Sequence, residues 1–222
     1  MTRPRYQKPA IPCNERPACE AVYHTPVASH LREANRVAAV TALLLLAAAP
    51  LIGTARADEA LWRRLATGGH VVLLRHATTT PGVGDPTGFR LDDCVTQRNL
   101  TEAGREESRR LGAAFKARAI PVGRVLSSRW CRCLETARLA FGSAEPWEPL
   151  SSLFADRTRQ AEQTRAFRAL AGEKRGAENT ILVTHGANIV AFVGVSPAMA
   201  EMVIVTPQGD GTFTVTGRLP AP

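Results

Sequence analysis

From Asp58 onward the chain alternates short, unbroken apolar runs with longer amphipathic stretches. His70-Val71-Val72-Leu73-Leu74 follows the Gly68-Gly69 break and is apolar without alternation, which predicts a strand buried on both faces. Thr180–Thr184 (TILVT) reads the same way, and Pro121–Ser127 predicts a further strand over VGRVLS. Helical patterns lie between them. Asp58 to Ala66 predicts a short helix. Thr101, with Glu102 and Gly104 behind it, opens a helix whose apolar stripe is Ala103, Leu111, Ala114 and Phe115. Arg129–Phe141, Leu153–Leu170 (ending at Gly172) and Gly186–Val193 predict three more. The chain closes on a hairpin, Met202–Thr206 and Thr212–Thr216, around a Pro-Gln-Gly-Asp-Gly turn. Strands alternating with helices predict an α/β layer fold that presents ligands at the carboxyl ends of its strands.

Upstream the pattern changes. Val37–Ile52 (VAAVTALLLLAAAPLI) carries no charge, Arg32 and Arg36 precede it, and Ala55-Arg56-Ala57 follows. This is the order of a secretory signal peptide, with cleavage expected before Asp58. The competing reading is a membrane anchor, against which the run falls short of the ~20 residues of a spanning helix and is interrupted by Pro50. Residues 1–30 hold five prolines and show no periodicity, so no packed structure is expected there. Translation is expected to start later, near Leu31. The chain thus divides into an N-terminal extension and signal peptide, 1–57, and one domain, 58–222.

That division changes how the charge reads. The net charge is +8, but residues 1–57 hold seven Lys/Arg against three acids, and 58–222 hold 21 against 17. The domain has no basic block and no interleaved aromatics, so nucleic acid is not expected as a partner. A membrane is expected only through an uncleaved signal segment. An Arg-rich surplus suits a small anionic substrate, because the guanidinium fork matches phosphate oxygens. The cysteines also divide: Cys13 and Cys19 fall upstream, leaving Cys94, Cys131 and Cys133. Outside the cytoplasm that number predicts one disulfide and one spare thiol, with Cys94 paired to Cys131 or Cys133. A zinc site is the rival, but Cys131-x-Cys133 lacks the two-residue spacing and a second ligand pair.

His76 and His185 each sit just past a predicted buried strand, and Ser127-Ser128 ends a third and leads to Arg132. Arg75, His76, Arg132 and His185 would therefore gather at one edge of the sheet, where helix starts after Ser128 and His185 add their attraction for an anion. The runs Leu74-Arg75-His76-Ala77-Thr78, Ser127-Ser128-x-x-x-Arg132-x-x-x-Thr136-Ala137 and Val183-Thr184-His185-Gly186, with Leu100-Thr101-x-x-Gly104 between them, resemble the histidine phosphatase (phosphoglycerate mutase-like) superfamily. The resemblance implies a three-layer α/β/α sandwich with a mostly parallel central sheet. It also implies hydrolysis of a phosphate monoester through a phosphohistidine on His76, with Arg75 and Arg132 holding the phosphoryl oxygens and His185 donating a further hydrogen bond. No metal and no cofactor are expected. Thr78 is a second phosphate-binding candidate or a turn-stabilising residue, and Asn188 reaches the site or solvates its helix start. The match weakens at the proton donor. Where the mutase-like branch carries Glu in a Leu-x-Glu setting, this chain has Leu150-Ser151-Ser152; where the acid-phosphatase branch carries Asp after the second His, it has Gly186. Asp156 is the expected donor, with Glu148 the alternative and helix capping the competing role for Asp156. The long polar stretch from Asp85 to Arg98 reads as a functional loop, in which Asp92 and Asp93 contact substrate or solvent and Arg98 faces phosphate. Within the same fold a phosphomutase is the rival. From another class, the rival is a non-catalytic phosphate- or sugar-phosphate-binding domain.

Overall fold

The computed structural model describes residues 58–222 except 155 and 175. The signal segment, the division at residue 57, Cys13 and Cys19 lie outside the described residues. The domain is built on a six-stranded sheet of order β3-β2-β4-β1-β5-β6. Its strands are β1 (Val71–Arg75), β2 (Val122–Ser127), β3 (Glu145–Pro146), β4 (Asn179–Thr184), β5 (Met202–Pro207) and β6 (Phe213–Leu219). β3, β2, β4 and β1 run parallel, whereas β5 and β6 are added antiparallel as the expected hairpin. This is the α/β sandwich with a mostly parallel sheet.

The unbroken apolar runs of the central strands follow from burial on both faces. Val72 and Leu74 of β1 pack with Ile181, Val183, Met202 and Ile204 against a helix at 58–67 (α1), α2 (Glu102–Ala117) and α3 (Cys131–Phe141). Val71 and Leu73 alternate to the opposite face, where α4 (Gln160–Gly172) and α5 (Gly186–Val193) contribute Phe167, Ala171, Ile189 and Phe192. Each apolar side chain of β1 is fully buried, so each contributes roughly 1.5–3 kcal/mol of apolar transfer free energy. The third histidine, His70, is structural: its ring nitrogens bond Thr206 Oγ1 and the Arg64 carbonyl.

Three expectations shift. The helix expected from Leu153 begins only at Gln160, because Leu153 and Ser151 are tied to Asn188 and the Asp156 carboxylate accepts the Thr158 N–H. Such a local bond competes with helix formation. In α2 the buried stripe is Gly104, Ser108, Leu111, Ala114 and Phe115, and Ala103 is exposed. The two-residue strand β3 has no pattern of its own; it forms where Trp147 N donates to Ser127 O beyond the end of β2. Among the described residues no helix is long and apolar enough to cross a membrane.

Candidate active site

β1, β2 and β4 run side by side, so the residues leaving their carboxyl ends arrive at one edge of the sheet. His76 leaves β1, and its backbone N–H still donates to Thr184 O, 3.0 Å away, at the end of β4. The ring is 2% exposed, and Nδ1 lies 2.9 Å from the Ala77 carbonyl. A carbonyl only accepts, so Nδ1 carries the proton and Nε2 keeps the lone pair. Burial is the main cause that lowers the His76 pKa to about 3; the Ala77 bond opposes it, and the charges of Arg132, Arg75 and Arg98 add to it. The imidazole is therefore neutral across the physiological range, with Nε2 available as a nucleophile.

α3 supplies Arg132 and binds it to the His76 loop. Thr136 Oγ1 accepts the Ala77 N–H at 3.1 Å and donates to Arg132 O at 2.7 Å. The Arg132 guanidinium is buried and makes a bidentate pair with Asp85, at 2.6 Å and 3.2 Å. Asp85 also accepts from the Arg98 backbone N–H and from Trp130 Nε1, each at 3.0 Å. Burial works against the charge of Asp85, but the Arg132 pair and these donors outweigh it and hold the carboxyl below its ordinary value. Asp85 is the site residue that the sequence pattern did not single out. Its only signal was membership of the long polar loop.

Arg75 and Arg98 complete the cluster. Arg75 Nη1 donates to Pro197 O at 2.9 Å, and Arg98 Nη1 to Gly82 O at 3.1 Å. Burial lowers the pKa of both, and they stay charged because an arginine starts so high. The Nε atoms of Arg75, Arg98 and Arg132 are all buried without a hydrogen-bond partner among the described residues. Three buried unpaired donors are costly unless a ligand satisfies them. A Cβ at Gly186 would stand 3.4 Å from the Arg75 guanidinium, in ordinary contact with it.

His185 is fully engaged. Its Nε2 is 2.9 Å from Ser128 Oγ, and its Nδ1 is 3.4 Å from Arg132 Nη2. Arginine only donates, so here Nδ1 accepts and Nε2–H donates to Ser128. Burial first, then the neighbouring His76 and arginines, lower its pKa well below the ordinary value. Three guanidiniums against one carboxylate, with both imidazoles neutral, leave a net charge of +2 in the cluster. All of them line a cavity of about 860 Å³.

The other candidates part company. Arg98 faces the cavity as expected, and Glu148 and Asp156 stand on its wall. Glu148 is paired with Arg159 at 2.5 Å. The exposed Asp156 carboxyl is held below its ordinary value by the Thr158 backbone and hydroxyl, which favours the ionised form over a proton donor. Thr78 does not line the cavity: its N–H and Oγ1 both bond Glu107 of α2, at 3.0 Å and 2.9 Å. Asn188 is buried and serves the fold, bonding Leu153, Ser151 and Gln163. Asp93 caps a short 3-10 turn and pairs with Arg90, while Asp92 is exposed. Cys94 pairs with Cys131, which leaves Cys133 as the free thiol and removes Cys131 as a zinc ligand. Burial pushes the Cys133 thiol up to about 12, so it is not a nucleophile. No group of three or more His, Cys, Asp or Glu placed to hold a metal ion occurs among the described residues.

Residues 71–153, which carry His76, Asp85 and Arg132, match the family model described as histidine phosphatase superfamily, branch 1. The match is to this segment, which is less than half of the chain. The match ends before His185, whose place rests on the parallel pairing of β4 with β1 and β2. The fold is similar to that of an Escherichia coli protein described as a candidate alpha-ribazole-5'-P phosphatase, at 14% identity over 67% of this chain and 95% of that one, with a TM-score of 0.51. It is also similar to the protein histidine phosphatase SixA complexed with tungstate (20% identity, 68% and 97% covered, TM-score 0.49). A mycobacterial glucosyl-3-phosphoglycerate phosphatase matches at 16% identity, with 67% and 97% covered and a TM-score of 0.49. No curated protein matches the chain in sequence.

Proposed function

We propose that the chain is a phosphomonoesterase in which His76 Nε2 attacks phosphorus and the alcohol leaves, followed by hydrolysis of the phosphohistidine by water. The observation that carries this reading is the +2 cluster with three unpaired Nε donors beside a neutral, tautomer-fixed imidazole. Its charge offsets that of a phosphate monoester dianion, and its donors suit the equatorial oxygens of the transition state. Arg75, Arg98 and Arg132 hold those oxygens. With phosphate bound, Arg132 turns to its oxygens and His185 takes the other tautomer, Nε2 accepting from Ser128 Oγ–H and Nδ1–H donating to the phosphoryl group, since a hydroxyl donates or accepts. Asp156 and Glu148 remain the donors proposed at the wall, and a leaving group of low pKa needs neither.

The reaction is proposed to take place outside the cytoplasm. The apolar run at Val37–Ile52 and the Cys94–Cys131 disulfide support that location. A non-catalytic phosphate-binding domain is the second reading, favoured by Ser152 standing where a donor Glu is expected. An aryl phosphate assay of the protein beside His76→Ala decides between them. Hydrolysis is expected to fall at least about a thousandfold in the variant, as when a nucleophile is removed, and acid quench of the parent is expected to trap phosphate on the protein. Equal rates would end the catalytic reading, and phosphate binding without turnover would establish the second.

A further inference from the structure

We infer that the substrate is a phosphate monoester of an apolar alcohol, its leaving group a hydrocarbon chain or ring rather than a sugar. The inference rests on the reading of the arginine cluster as a phosphoryl site and concerns what lies above it. Five large hydrophobic residues are exposed among the described residues, and three of them, Val83 (85%), Phe154 (56%) and Val190 (44%), line this one cavity. Scattered apolar residues on a surface mean little, but a contiguous apolar wall rimmed by polar groups marks a binding site. Phe89, Trp130 and Met199 extend the wall. The loops that bear Val83 and Phe154 meet, because a Cβ on Gly84 would stand 3.2 Å from the Phe154 ring.

Much of the polar lining already has partners within the protein. Glu148 is paired with Arg159, the Asp156 carboxylate accepts from Thr158, Gln163 Oε1 accepts from Asn188, and Trp130 Nε1 donates to Asp85. The buried lining atoms left without a partner among the described residues are the three arginine Nε atoms and Ser151 Oγ. A sugar would set hydroxyls against the side chains of Val83, Phe154 and Val190, which offer them no hydrogen-bond partner, and unpaired buried hydroxyls are unfavourable. A hydrocarbon would cover Val83, Phe154 and Val190 and release their water. The cavity of about 860 Å³ is ample for such a group, lying within the roughly 300–1,000 Å³ of small-molecule sites.

The test is titration calorimetry of the full chain with inorganic phosphate and with methyl-, butyl- and octylphosphonate, which bind without turning over. A fully buried methylene is worth about fourfold in affinity, so partial burial of the chain is expected to tighten Kd at least tenfold from methyl- to octylphosphonate. Phe154→Ser is expected to flatten that rise while leaving the methylphosphonate affinity unchanged. Glycerol 2-phosphate and glucose 6-phosphate, titrated with methylphosphonate against His76→Ala so that they do not turn over, are expected to bind no more tightly than methylphosphonate does. Phosphate binding with a flat chain-length series, or with tighter sugar phosphates, would overturn the apolar substrate class alone. Loss of all binding, phosphate included, would remove the phosphoryl site and this inference together.

Discussion

Asp85 places a carboxylate on both terminal nitrogens of Arg132, the guanidinium proposed to hold phosphate. The pair with Arg132 is buried, with side chains 3% and 8% exposed, so it matters more than a surface ion pair. It offsets one of three clustered charges and is itself an anion on the nitrogens that a phosphoryl group would use. Asp85→Asn is therefore expected to lower the thermal midpoint in buffer, since breaking a buried pair costs about 3–5 kcal/mol. Inorganic phosphate is expected to raise the midpoint of that variant further than it raises the parent's, through the ordinary coupling of binding to stability. A thermal melt of both proteins with and without phosphate reads this directly. An equal or smaller shift in the variant would show that Asp85 and phosphate do not compete for Arg132. At this scale the place of His76 was legible, because it follows an unbroken apolar strand. Asp85 was not, because nothing local distinguishes an acid that meets an arginine 47 residues away from one that meets water.

Among the elements, α2 lends no side chain to the cavity, yet its packing reaches the His76 loop. Thr101 caps it, its Oγ1 accepting the Gly104 N–H at 3.0 Å, which is the pattern the Thr-x-x-Gly run predicted. Gly104 has a second task that the pattern does not reveal. A Cβ there would lie 2.0 Å from the Thr78 carbonyl oxygen, so the loop after His76 rests directly on the helix backbone. Gly104→Ala is expected to push that loop away and disturb Ala77, whose carbonyl holds the His76 tautomer. Helix propensity alone would make Ala the better residue by about 1 kcal/mol. A lower thermal midpoint and at least tenfold lower kcat on an aryl phosphate would thus identify the close approach as the cause. A more stable and fully active variant would refute it. The disulfide acts on the same loop from its other end, tying Cys94 to the first residue of α3, next to Arg132. The sequence narrowed Cys94 to two partners and could not choose, since Cys131 and Cys133 lie on one helix two residues apart and only helix phase separates them.

For the whole molecule, the sheet order brings the ends of three parallel strands together, and the two later motifs gain their meaning from that. The proposed export belongs at this scale, because it concerns the chain ahead of the domain. Protein recovered from outside the cytoplasm is expected to begin at Asp58, which N-terminal sequencing reads. Recovery only from the cytoplasm, with residues 37–52 intact, would contradict it. What the sequence determined by itself was the alternation of buried strands and amphipathic helices, hence the layered fold, and the positions of Arg75, His76, Arg132 and His185 at strand ends. These are local consequences of periodicity and burial. Only the tertiary structure decided the rest: that Thr78 turns to Glu107, that Asn188 serves the fold, that Asp85 enters the cluster, and that Val83, Phe154 and Val190 share one wall. Each depends on contacts between distant segments, and a side chain's partner there is set by how the layers pack, not by its neighbours in the chain.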